Sequence, residues 1–143
     1  MIDPDTFEYE KELAIKMWED IKETITAFYE DDTPPDYRVI EAEKESFCRK
    51  HNLHWRYNCW LCSLYNKEDH KQPLECDEAC PLMFAYAGDS ALGCTADDAP
   101  YEIVTDWTAG YGNRMAACDR IIEAIKEVTY ERATVQQIYN EEV

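Results

Sequence analysis

The chain of 143 residues is short of glycine (4), histidine (3) and positive charge, and each shortage excludes something. No Gly-rich phosphate loop of the Walker or Gly-x-Gly-x-x-Gly type occurs, so nucleotide binding has no support. The histidines all fall between His51 and His70, and neither His-Glu-x-x-His nor Gly-x-Ser-x-Gly is present. Acid–base chemistry would then fall to carboxylates, which are so numerous here that pairs arise by chance. No catalytic residue is assigned, and the sequence leans away from an enzyme. Lysine and arginine number 14 against 31 aspartates and glutamates, a formal charge of −17. Such a surface repels nucleic-acid backbones and anionic lipid alike, so direct nucleic-acid binding is disfavoured. No apolar run approaches the roughly 20 residues of a membrane-spanning helix. The opening MIDPDTFEYEKE is acidic where a secretory signal would be basic and then apolar. These features predict a soluble cytoplasmic protein.

What is present suits one folded domain over residues 1–143: 45% hydrophobic residues, and 13% aromatics where disordered chains have few. Residues 1–50 read as acidic helices. Phe7, Leu13, Met17, Ile21, Ile25 and Phe28 recur at helical spacing, predicting a first helix from Phe7 to Glu30 capped by Thr6 or Asp5. Pro34 and Pro35 end it, and a second helix follows from Asp36 to Lys50 with Val39, Ile40 and Phe47 inward. Over 51–112 helical periodicity vanishes. There His54–Tyr57 and Tyr101–Trp107 (YEIVTDW) read as short strands. Over 113–143 a long helix runs from Asn113 to Tyr139 on a stripe of Met115, Cys118, Ile121, Ile122, Ile125 and Val128. The expected fold is mainly α, with these helices around an irregular, zinc-stabilised middle and a small β element.

The middle carries the clearest chemistry. Seven cysteines in a reducing compartment point to metal ligands or buried thiols, and an odd number cannot all pair within one chain. Cys59 and Cys62 form a Cys-x2-Cys pair, and Cys76 and Cys80 a Cys-x3-Cys pair. Such spacers let two sulfurs of one tight turn face one ion, and four thiolates give zinc its tetrahedron. Cys94 is an alternative fourth ligand, with His70 a weaker competitor. Four thiolates would fill the shell and suppress Lewis acidity, so the zinc is read as structural. Cys48, His51 and His54, spaced by threes, suggest a second site. Residues six apart on a helix point in different directions, however, so one helix cannot present all three. Cys118 reads as a core thiol. His54, Trp55, Arg56, Tyr57 and Trp60 interleave basic and aromatic groups as a single-strand stacking platform would; packing of the aromatics against the zinc turn is the preferred reading.

The run from Cys59 to Tyr101 resembles small cysteine-rich proteins of unknown function from tailed phages. Their pattern is a Cys-Pro-Leu-Cys turn, Cys-x2-Cys-Pro-Leu, Gly-Cys and Pro-Tyr; here it stands as CWLC, CDEACPL, LGC and APY. Trp60 replaces the usual proline, and the second pair has one residue more. The resemblance implies a phage origin, an accessory role in the host cytoplasm and a stronger claim for Cys94 as ligand; it implies no activity. Residues Asp3 to Glu45 hold about fifteen acidic and five basic side chains. Carboxylates along a rigid helix imitate a phosphate backbone. The expected function is therefore protein–protein binding to a basic or nucleic-acid-binding host protein, inhibiting it by mimicry. The alternatives are an enzyme with a structural zinc and a carboxylate site elsewhere, or a zinc-dependent nucleic-acid module.

Overall fold

A computed structural model describes residues 3–55, 58–60, 100–131 and 133, and these are mainly α-helical. Helix α1 is Pro4–Glu30, α2 is Tyr37–Lys50, α3 is Pro100–Thr105 and α4 is Tyr111–Glu127. Helix α1 starts three residues before the expected Phe7, because Asp3 rather than Thr6 or Asp5 is its cap. The Asp3 carboxylate accepts from the Thr6 amide at 2.9 Å and the Thr6 hydroxyl at 2.7 Å. Pro4 occupies the first helical position, where a missing N–H costs nothing. Asp36 caps α2 in the same way, accepting from the Arg38 amide at 2.9 Å.

Both N-terminal helices end in a left-handed residue with paired back-bonds. After α1, Asp32 sits at φ 56°, and the amides of Asp32 and Thr33 donate to the carbonyls of Tyr29 (3.1 Å) and Phe28 (3.0 Å). After α2, Asn52 sits at φ 55°, and Asn52 and Leu53 donate to Arg49 (3.3 Å) and Cys48 (2.8 Å). These Schellman closures satisfy last-turn carbonyls and fold the chain back on itself. Asn and Asp tolerate this backbone better than other non-glycine residues.

The helices contact one another in a ring: α1 against α2 and α4, and α3 against α2 and α4, most extensively at α1–α4 and α3–α4. Phe7, Met17, Trp18, Ile21 and Ile25 of α1 meet Ile121, Ile122 and Ile125 of α4, with Ile40 and Phe47 of α2 and Val104 of α3 completing the core. Trp60 packs its ring 5.4 Å from Phe7, and Tyr130 stands edge-on to the same ring at 5.5 Å.

Two expectations are corrected. YEIVTDW is not a strand: Pro100–Thr105 is the helix α3, and among the described residues there is no strand. Proline at the first position and burial of Val104 against α4 outweigh the β-branched composition. The C-terminal helix begins at Tyr111, behind Gly110 at φ 80°, and stops at Glu127. Val128 is extended, with its carbonyl accepting from Lys11 Nζ at 2.7 Å, and helical turn resumes at Tyr130. The continuation to Tyr139 lies outside the described residues, as do Arg56 and Tyr57 of the other strand candidate. His54 and Trp55 of that candidate are in irregular backbone.

Candidate functional site

Helix α1 divides cleanly into two faces. At 100° per residue, Asp5, Glu8, Glu12, Glu19, Glu23 and Glu30 fall within an arc of about 60°, and all six are exposed. The buried residues of α1 lie on the opposite side. Among the described residues none of the six carboxylates has an ion-pair partner: the ion pairs formed are Lys22–Asp119, Arg38–Asp36, Lys44–Glu41, Arg49–Glu45 and Lys126–Glu123. Lys16 is the one cation at the edge of the stripe, and exposed Tyr9 borders it. From Asp5 to Glu30 the stripe spans about 38 Å at 1.5 Å per residue.

The C-terminal half of the stripe overlooks an open groove between α1 and the first turns of α4, with a volume of about 760 Å³. Glu19, Glu23 and Glu30 line it on one side and Tyr111 and Met115 on the other, with Lys22 at its floor. Lys22 is bonded to Asp119 across the helix pair, which holds its ammonium above the ordinary lysine range and takes its charge out of play. Tyr111 is fixed by a 3.0 Å hydrogen bond with the Thr26 hydroxyl and by an edge contact with Tyr29 at 5.3 Å. Among the described residues the carboxylates whose acidity is shifted are Asp3, Asp36 and Asp106. Each is lowered first by its own neighbour, respectively Thr6, Arg38 and Thr108. They are helix caps and a turn, and none lines the groove.

Of the expected zinc ligands, Cys59 lies within the described residues; it is half-buried and packed against the core. Cys62, Cys76, Cys80, the alternative ligand Cys94, and His70 lie outside them. Among the described residues no group of three or more His, Cys, Asp or Glu side chains is arranged to hold a metal. In the chain Cys59 stands between two buried tryptophans, Trp55 and Trp60. Trp55 donates its indole N–H to Glu10 Oε1 at 3.3 Å, tying the segment to α1. Trp60 is 2% exposed, and its indole N–H meets no acceptor among the described residues. With both tryptophans buried, the stacking platform for single strands loses the faces it needs. Cys48, His51 and His54 do not converge: Cys48 is buried, the His51 ring stacks on Phe47 at 4.4 Å, and His54 is exposed. Cys118 is buried on α4, as expected of a core thiol, and burial pushes it up to about 12.

Two buried cations were missed in the sequence. Lys44 is 4% exposed, its ammonium 3.3 Å from the Tyr101 hydroxyl and 4.6 Å from that ring's centroid. Arg114 is fully buried, its Nε donating to the Val104 carbonyl at 2.8 Å. Position on the helix was the available signal, since both occur at core-facing spacing. Among the described residues no helix is long and apolar enough to cross a membrane. Compared with protein-family models, with curated proteins and with solved structures, the chain matches none.

Proposed function

We propose that this chain is a zinc-stabilised acidic binding protein of phage origin, whose α1 carboxylate face occupies a basic, nucleic-acid-binding surface of a host protein. The observation that carries the reading is the stripe of six exposed carboxylates, none with an ion-pair partner among the described residues. Of the six, Glu12 alone has a lysine at four-residue spacing, Lys16. Here Glu8–Glu12 and Glu19–Glu23 set like charges one turn apart on the same face, a mildly repulsive arrangement that a cationic partner relieves. The stripe's length of about 38 Å is close to one turn of duplex DNA, about 34–36 Å. The partner is therefore one that grips a phosphate backbone. A second copy of this chain, at −17, would be repelled.

Zinc enters as scaffold. Cys59 and Cys62 supply one pair of thiolates, and Cys76 and Cys80, with Cys94 as substitute, supply the other. The packing of Cys59 against the helical core suits a ligand on a fixed turn. Phage origin rests on the resemblance of the cysteine segment alone.

The binding test uses an arginine-rich peptide of about 20 residues as a defined basic probe, titrated at salt concentrations from about 50 to 500 mM. Over that range the screening length falls from over 10 Å to under 5 Å. Affinity falling steeply with salt supports a backbone-mimicking surface. Absence of binding at low salt, or affinity indifferent to salt, sinks it.

A further inference from the structure

The groove between α1 and α4 adds an aromatic wall to the carboxylate stripe. Along α1, Glu19 and Glu23 keep a four-residue rhythm that would put a third acid at position 27. Ala27 stands there instead, exposed, and Glu30 resumes the row a turn later. The short side chain leaves a gap in the row, and Tyr111, the first residue of α4, lines the same groove. Its ring is held from two sides. The hydroxyl shares a 3.0 Å hydrogen bond with Thr26, and the Tyr29 ring stands against it with the planes 64° apart. Thr26 comes three residues after Glu23 and four before Glu30, so Tyr111 lies across from the turns that carry both acids. Tyr111 nevertheless stays 42% exposed. A ring fixed in this way has already lost the rotamer freedom that binding would otherwise remove.

Charge selects the occupant. Among the described residues Lys22 is the one cation lining the groove, and its ammonium is committed to Asp119. Glu19, Glu23 and Glu30 form no ion pair among those residues, so the groove is left with a negative rim beside an aromatic wall. An ammonium would answer the carboxylates, but it is a compact, strongly hydrated point charge. A guanidinium answers both features at once. It is planar and weakly hydrated, so it stacks on an aromatic face while its N–H groups donate to carboxylates.

We propose that this groove receives an arginine side chain of the partner, its guanidinium laid on the Tyr111 ring and donating to the carboxylates of Glu23 and Glu30. The inference rests on the binding reading above and narrows the partner from basic to arginine-bearing. The rest of the stripe supplies attraction that any cation can satisfy, whereas the groove distinguishes one cationic side chain from another. Tyr37 is 60% exposed at the start of α2 and does not line the groove, so it serves as the control.

The test titrates the full-length protein calorimetrically with the arginine-rich peptide and with a lysine counterpart of the same length and charge. The wild type should prefer the arginine peptide by at least about fivefold, the scale of one cation–π contact. Tyr111→Leu should bring the two peptides within about twofold of each other, and Tyr37→Leu should keep the preference. In the wild-type complex, arginine δ-protons of the peptide should show nuclear Overhauser contacts to the Tyr111 ring, a readout that needs no variant to fold. Equal affinity of the wild type for both peptides, a preference that survives Tyr111→Leu, or absence of those contacts overturns the inference and leaves the binding reading standing. Failure of either peptide to bind the wild type at low salt overturns both.

Discussion

Arg114 buries a guanidinium that forms no salt bridge with any described carboxylate. Its Nε donates to the Val104 carbonyl near the end of α3, one terminal nitrogen lies 3.5 Å from the Tyr29 hydroxyl, and the other meets no acceptor among the described residues. Two terms oppose each other here: the hydrogen bond and the volume of the side chain stabilise, while the desolvated charge destabilises. Arg114→Ala removes both stabilising terms and leaves a void, so it should lower unfolding free energy by about 2–4 kcal/mol. Arg114→Met keeps volume and discards the charge, and should stay within about 1 kcal/mol of wild type. Urea unfolding of the two variants separates packing from charge. Cys118 makes a second residue-scale prediction. Burial holds its thiol protonated to about 12, against an ordinary value of 9.0. Below pH 9 both folded and unfolded chains keep that proton. As pH rises from 9 toward 12 the unfolded chain ionises first, so stability falls across that window. Lys22, raised by its bond to Asp119, adds a loss in the same direction as pH climbs through its folded value. Thermal midpoints taken from pH 8 to 11 should fall, and fall less steeply in Cys118→Ala.

Among the elements, α1 and α2 were legible because their apolar residues recur at helical spacing and prolines stand between them. Ile21, Ile25 and Ile40 are fully buried where the pattern puts them. The packing of α1 on α4 predicts that Ile21→Ala and Ile121→Ala each cost about 2–4 kcal/mol in chemical denaturation. Phe28 was read as inward but is half-buried, and should cost less on truncation. Helix α3 was misread because Ile103, Val104 and Thr105 are β-branched. Six residues are too few for periodicity to speak against composition, and contact with α2 and α4 decided the matter. The α4 terminus was overrun because Ile125 and Val128 continue the stripe; the Lys11 bond to the Val128 carbonyl marks a break that no local signal announces. The carboxylate face was legible as composition, but its confinement to one arc needed the helix's true boundaries.

For the whole molecule, the charge of −17 sets a sign that no single contact does. Salt should raise the thermal midpoint by screening self-repulsion while weakening the binding of a cationic partner. A protein stabilised by ion pairs would lose stability with salt, so a midpoint that falls between about 50 and 500 mM salt contradicts the first half of that pair. The most direct measurement compares two variants of equal charge by calorimetric titration with the arginine-rich peptide. One neutralises the α1 stripe, with Glu8, Glu12, Glu19 and Glu23 changed to Gln. The other neutralises four exposed acids elsewhere, with Glu123, Glu127 and Glu131 changed to Gln and Asp31 to Asn. Binding through the α1 face requires the first variant to lose at least about tenfold in affinity and the second to stay within about threefold of wild type. Equal losses would mean that the peptide responds to net charge alone, and that α1 is an acidic surface without a partner.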